Sequence, residues 1–154
     1  MARQFSAPWS TSVRVVTAAT LLLCIGVGVT AGAVGAAVCA AVVVLGAAFA
    51  VRGYSVEDGY LLIHRPGWTT RLPLARLRAA EVAPGAMAGS IRTFGIGGLF
   101  ASVGHFRNAA LGAYRAYATD SARAVVLRFE GGPVVVTPDR PADFVAALGA
   151  PAVA

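Results

Sequence analysis

Lysine is absent from this 154-residue chain, so its basic residues are all arginine and no Gly-Lys-Ser or Gly-Lys-Thr phosphate loop exists anywhere in it. Charge of either sign is scarce: 13% of residues are charged, against roughly a quarter in soluble domains, while 57% are apolar. Only two cysteines occur, Cys24 and Cys39, both inside an apolar run, where a thiol acts as a small hydrophobe. They provide neither a disulfide framework nor a metal site. Histidine is equally sparse. His64 and His105 stand alone, without a carboxylate or cysteine at ligand spacing, and read as surface residues, not as catalytic bases. Ser102 lacks the glycine two residues before it that a nucleophile elbow requires. The net charge of +6 is not gathered into a stripe. Arg65, Arg71, Arg76, Arg78, Arg115, Arg123 and Arg128 are scattered among Glu57, Asp58, Glu81, Asp120 and Glu130, which argues against nucleic acid as a partner.

What is present is apolar length. No charge falls between Arg14 and Arg52. As one helix, the 37 residues from Val15 to Val51 would extend about 55 Å, nearly twice the roughly 30 Å hydrocarbon layer. Two spans fit if the chain reverses, and Thr30-Ala-Gly-Ala-Val-Gly35 supplies the glycines for that. The expected spans are about 15–29 and 35–51, within an N-terminal region 1–52. Gly26, Gly28, Gly32, Gly35 and Gly46 allow close helix packing, within the hairpin or in self-association. Arg3, Arg14, Arg52 and Arg65 flank the spans and the reversal carries no charge, which places both ends in the cytoplasm. Arg14, the apolar run and the small residues at 31–33 imitate a signal peptide, but a second apolar run follows at once. Leu23 and Val38 precede the cysteines where a lipoprotein signal wants a small residue.

Beyond Arg52 the pattern becomes short β-branched or aromatic runs between turns, as in an all-β or α+β unit. Asp58-Gly59 is a hairpin signal and Pro66-Gly67 a further turn. Trp68 to Leu74 alternates like a half-buried strand. Arg115–Thr119 and Ala124–Phe129 read as a hairpin around Asp120-Ser121, and Gly131-Gly132 leads into Pro133–Thr137. Asp139 is placed to cap a closing helix with Pro141 in its first turn. The fold class is therefore α+β: a two-helix transmembrane hairpin, then a barrel or sandwich of about seven antiparallel strands over 53–150, closed by a C-terminal helix.

Tyr54-Ser-Val-Glu-Asp-Gly-Tyr-Leu-Leu-Ile-His-Arg-Pro-Gly-Trp68, Leu72-Pro-Leu-Ala-Arg-Leu77 and Gly97-Gly-Leu-Phe-Ala-Ser-Val-Gly-His-Phe-Arg-Asn108 resemble the bacterial pleckstrin-homology-like membrane proteins. Gly112-Ala-Tyr-Arg-Ala-Tyr-Ala-Thr-Asp120 and Val134-Val-Val-Thr-Pro-Asp139 extend the resemblance over roughly 50–149. It implies two near-orthogonal sheets closed by a helix, commonly preceded by transmembrane helices. It also implies a place in the bacterial plasma (inner) membrane. In many eukaryotic pleckstrin-homology domains the first hairpin is basic and holds inositol phosphates; here it is Glu57-Asp58-Gly59, so that pocket is not expected.

The segment 92–108 is the candidate contact surface. Phe94, Ile96, Leu99, Phe100, Val103 and Phe106 are crowded among glycines, with Arg92 and Arg107 at the edges. Ile96, Leu99, Phe100 and Val103 have helical spacing, which suits an amphipathic turn on a bilayer or a partner, although the same residues would serve as ordinary core. Trp68, Tyr114 and Tyr117 read as packed residues with polar edges in water. No catalytic, cofactor or metal residues stand out. The expected function is a membrane-anchored, non-catalytic module contacting an unknown protein or the membrane surface. The alternative is an accessory subunit of a membrane enzyme or transporter complex; the spans contain no ionisable residue to mark a substrate path of their own.

Overall fold

The structure is a computed structural model that describes residues 3–149; the outer limits drawn from the sequence, residues 1 and 150, lie outside the described residues. The chain begins with a strand, β1 (Arg3–Ser6), followed by two helices, α1 (Thr11–Thr30) and α2 (Gly32–Ala48). The Ser10 hydroxyl caps α1 by accepting the Val13 N–H at 3.2 Å. The reversal is a single residue, Ala31, followed by Gly32 at φ 68°, a conformation that glycine adopts without a Cβ clash. The helices pack on each other, with Gly28 against Ala36. Most of their surface is left open: Leu22, Val29 and Val34 are 70%, 80% and 77% exposed. A helix apolar all round and uncovered by protein is stable in an apolar solvent, not in water. Of the two, α1 is long and apolar enough to cross a membrane, and α2 is a shorter apolar helix.

After the helices come β2 (Gly53–Glu57), β3 (Tyr60–His64) and β4 (Thr69–Pro73), which form a four-stranded antiparallel sheet in the order β1-β2-β3-β4. The β2–β3 turn has positive φ at both Asp58 (50°) and Gly59 (76°), as a two-residue hairpin loop requires. The second sheet contains β5 (Leu77–Val82), β6 (Ile91–Ile96), β7 (Ser102–Asn108), β8 (Gly112–Ala118), β9 (Val125–Phe129) and β10 (Gly132–Val136), ordered β5-β9-β10-β8-β7-β6. A final helix, α3 (Pro141–Leu148), ends at Gly149 in the left-handed region. Asp139 stands one residue ahead of the helix cap, Arg140, whose N–H its carboxylate accepts at 3.1 Å.

The sandwich departs from the sequence expectation in four ways. Among the described residues ten strands form it, not about seven, and it is not a closed barrel. The extra β1 comes from four residues ahead of the helices, too few to show a period. Residues 91–108 are a strand pair and not a helical turn: a bulge at Thr93 and facing glycines at 95 and 104 disrupt the alternation that would have revealed it. Finally, β8 and β9 are not a hairpin. A 3-10 turn at Ser121–Arg123 carries β9 one place away, and β10 enters the gap, antiparallel to β9 and parallel to β8.

Phe5, Tyr54, Leu61 and Ile63 of the first sheet meet Val103, Val125, Leu127, Val134 and Val136 of the second, with Phe144 and Leu148 of α3, in one buried cluster. Tyr54 is its polar pin. Its hydroxyl donates to the Tyr117 carbonyl at 2.5 Å and accepts the Thr137 N–H at 3.1 Å. Burial pushes its pKa up to about 12, with the Thr137 bonds acting in the opposite direction. A second, smaller core lies on the outer face of the six-stranded sheet, where Phe106, Tyr114, Ala116, Val126 and Val135 are covered by Ala83, Ala86 and Met87. Asn108 holds that cover by donating to Ala86 O at 2.8 Å, and Ser90 and Tyr114 share a hydroxyl bond at 2.6 Å.

Candidate site at the junction of helices and sandwich

Since β1 and β2 pair in register, Ser6 against Gly53, the two feet of the helical hairpin meet in one sheet. The hairpin is in effect a long connection between adjacent strands. The tip of β6–β7 then fastens the sandwich to the helices. Gly98 packs against Val16, Leu99 against Gly46, and the Phe100 N–H donates to Thr17 Oγ1 at 3.0 Å. A Cβ at Gly46 would lie 2.6 Å from Leu99 Cδ2, so the glycine is the socket for that leucine. Trp9 meets the Phe100 ring edge-on at 5.8 Å.

On the other side of the junction Phe49 meets Trp68 at 5.3 Å. The Arg65 guanidinium lies 6.0 Å from the Phe49 ring, 5.5 Å from Trp68 and 4.8 Å from Tyr117. Its Nε is buried without a hydrogen-bond partner among the described residues, and burial lowers its pKa. The aromatic faces are what stabilise this cation. Between the two fastenings lies an open cavity of about 750 Å³ lined by Ala7, Trp9, Val44, Ala47, Ala48, Ala50, Val51, Arg52, Pro66, Gly67 and Phe100.

The segment singled out from the sequence divides three ways. Leu99 and Phe100, half-buried, are at the junction, with Ile96 just behind them. Val103 and Phe106 are 5% and 7% exposed, one in each core, because strand alternation turns them to opposite faces of the sheet and each face is covered. Arg92, Phe94 and Arg107 are on the surface; Phe94 is 77% exposed, beside Ile91 at 72%, on the outermost strand of the sheet. Trp9, Thr17 and Gly46 complete the junction; of these the sequence singled out Gly46, as a site of close helix packing, and here the group it admits is Leu99 of the sandwich.

His64 Nε2 and Ser55 Oγ are hydrogen-bonded at 2.8 Å, and His105 is exposed beside Phe94 at 6.5 Å. Among the described residues no three His, Cys, Asp or Glu side chains form a metal-binding group. On the surface Glu130 pairs with Arg78, Glu81 with Arg128 at 2.9 Å and Asp120 with Arg123 at 3.4 Å.

Residues 52–150 match the sequence model of a family described as Bacterial PH domain. No curated protein and no solved structure matches the chain.

Proposed function

We propose that this chain, which belongs to the bacterial PH domain family, is a membrane-tethered, non-catalytic interaction module of the bacterial plasma membrane. In this reading α1 and α2 are two spans, and the sandwich rests at their feet on the cytoplasmic side. The observation that carries it is the β1–β2 pairing across the helical hairpin, which puts both helix ends at one side of the domain. Arg14, Arg52 and Arg65 lie toward that side, Arg3 precedes them in β1, and the reversal at Ala31 has no charge, the distribution expected of a cytoplasmic base. The tip of β6–β7 reaches about one turn beyond Arg14, to the level of Val16 and Thr17, so the domain is held down on the membrane and does not swing on a linker.

Reporters of cytoplasmic and periplasmic location, fused in turn after Gly32 and at the C-terminus of the full chain, are expected to read outside and inside respectively. A C-terminus that reads outside would sink the two-span arrangement.

The contact surface is the β6 edge, with Ile91 and Phe94 as apolar groups and Arg92 and Arg107 beside them. An edge strand has unpaired backbone groups and is a template for strand addition by another protein. A photoreactive amino acid at position 94 of the full-length protein is expected to yield a protein adduct in cells, and one at Asp58, on the far hairpin, none. A lipid adduct alone would reassign this face to the bilayer, and equal labelling at both positions would deny it any special role.

A further inference from the structure

We propose that the junction cavity is a binding site for one anionic phospholipid, with the phosphate on Arg52, the headgroup in the polar recess beyond it and an acyl chain along the foot of α2. The inference rests on the membrane-anchored reading above. Its basis is that two cavities of opposite character share a single cation. The larger, about 750 Å³, is apolar on nearly every side: Val44, Ala47 and Ala48 of α2, Trp9 ahead of α1, and Phe100 of the β6–β7 tip. The smaller, about 380 Å³, is lined by Gln4, Ser6, Tyr54 and His64 and is richer in polar groups. Arg52 lines both.

Charge complementarity selects the occupant. Arg78, Arg123, Arg128 and Arg140 each have a carboxylate partner. Arg52 is exposed with none among the described residues, as are Arg71, Arg76, Arg92 and Arg107, but of these it is the one that lines the junction cavity, at the membrane foot where a bulky apolar group and an anion would arrive together. A phospholipid is the ligand that presents phosphate, hydroxyl-bearing headgroup and hydrocarbon in that order. The larger volume falls within the roughly 300–1,000 Å³ of ordinary ligand sites, enough for the first part of a chain, with the remainder continuing into the bilayer past exposed Val44. The site is distinct from the first hairpin, where Glu57 and Asp58 would repel a phosphate.

The test uses the full-length protein in nanodiscs of equal phosphatidylglycerol and phosphatidylcholine, transferred to mild detergent and examined by native mass spectrometry. One retained phosphatidylglycerol per chain is expected, favoured over phosphatidylcholine by roughly tenfold or more: both lipids carry the phosphate, but the choline cation would be repelled beside Arg52, where the glycerol hydroxyls meet the polar groups of the recess. Arg52→Gln should lower retention of phosphatidylglycerol and narrow its preference over phosphatidylcholine. Ala47→Trp, which fills the cavity, should reduce retention of both, and Arg71→Gln, an exposed arginine on β4, should change nothing. Equal retention of both lipids by the unaltered protein, or identical behaviour of the Arg52 and Arg71 variants, would overturn the proposal while leaving the anchor intact. Competition by chain-free glycerol phosphate would overturn it in favour of a soluble phosphate ester. A protein that never enters the nanodiscs would end the anchored reading and this one with it.

Discussion

A fragment cut at residue 52, where the family match begins, is expected to be markedly less stable than the same sandwich supplied with residues 3–8. Those few residues complete the first sheet. Phe5 is 6% exposed and meets Phe144 edge-on at 5.1 Å, and the Arg140 guanidinium covers its ring at 5.3 Å. Ser6 O accepts the Asp139 N–H at 2.9 Å, which ties β1 to the entry of α3. Gly53 has no side chain because a Cβ there would meet Phe5 O at 2.7 Å. Losing a buried phenylalanine alone costs about 3–5 kcal/mol, a large fraction of a total stability of roughly 5–15 kcal/mol. The comparison is between residues 52–149 and a variant in which Trp9–Phe49 is replaced by a short Gly/Ser linker. At roughly 4–8 °C per kcal/mol for a domain of this size, the joined form should melt at least about 12 °C higher. Phe5→Ala in the joined form should remove most of the gain. Equal midpoints would mean that β1 is an ornament of the sheet and that the domain is complete from residue 52.

How legible this was in the sequence depended on whether a periodic signal existed. The uncharged run from Val15 to Val51 announced two helices because its length exceeds one span and glycines interrupt it. The Asp58-Gly59 turn, the Pro66-Gly67 turn and the closing helix were legible for local reasons, each resting on residues that favour one backbone geometry. β1 was not, since Arg3-Gln-Phe-Ser6 is too short for a pattern and its partner is 47 or more residues away. The parallel β8–β10 pair was equally hidden, because adjacent strands in sequence are expected to be neighbours in space and here β10 separates β8 from β9.

The segment 92–108 was legible as unusual but not in what it does. Its apolar residues were noticed together, yet Val103, Phe106, Leu99 and Phe94 go to four different surroundings: two cores, a helix socket and open surface. Composition reports that such residues are present; only strand alternation, displaced here by the bulge at Thr93, sorts them. The same segment therefore links the sandwich to the helices at one end and exposes an edge at the other, so changes within it should separate the two roles.

Gly104→Val is expected to detach the tip of β6–β7 from the helices while the sandwich stays folded. Gly95 and Gly104 face each other across the hairpin with φ of 116° and 141°. A Cβ at Gly104 would overlap the Phe94 carbonyl and lie 2.8 Å from Gly95 Cα, and neither is a flexible end that gives way. Overpacking and a left-handed backbone together cost about 2–5 kcal/mol, concentrated where the edge strand β6 meets β7, and β6 can part from β7 without taking Val103 or Phe106 out of the cores. Trp9 against Phe100 reports the event. In a Trp68→Phe background, where Trp9 is the remaining tryptophan, its emission should become more accessible to an aqueous quencher, while the melting midpoint falls far less than in Phe5→Ala. If instead Trp9 is unchanged, the Leu99 and Phe100 contacts hold the tip without help from the glycine pair. If the core melts early as well, the β6–β7 pair belongs to the sandwich's cooperative unit, and the junction cannot loosen without the domain. The first outcome, by contrast, makes the facing glycines the residues that allow one strand pair to leave the sheet's ordinary geometry and reach the two apolar helices.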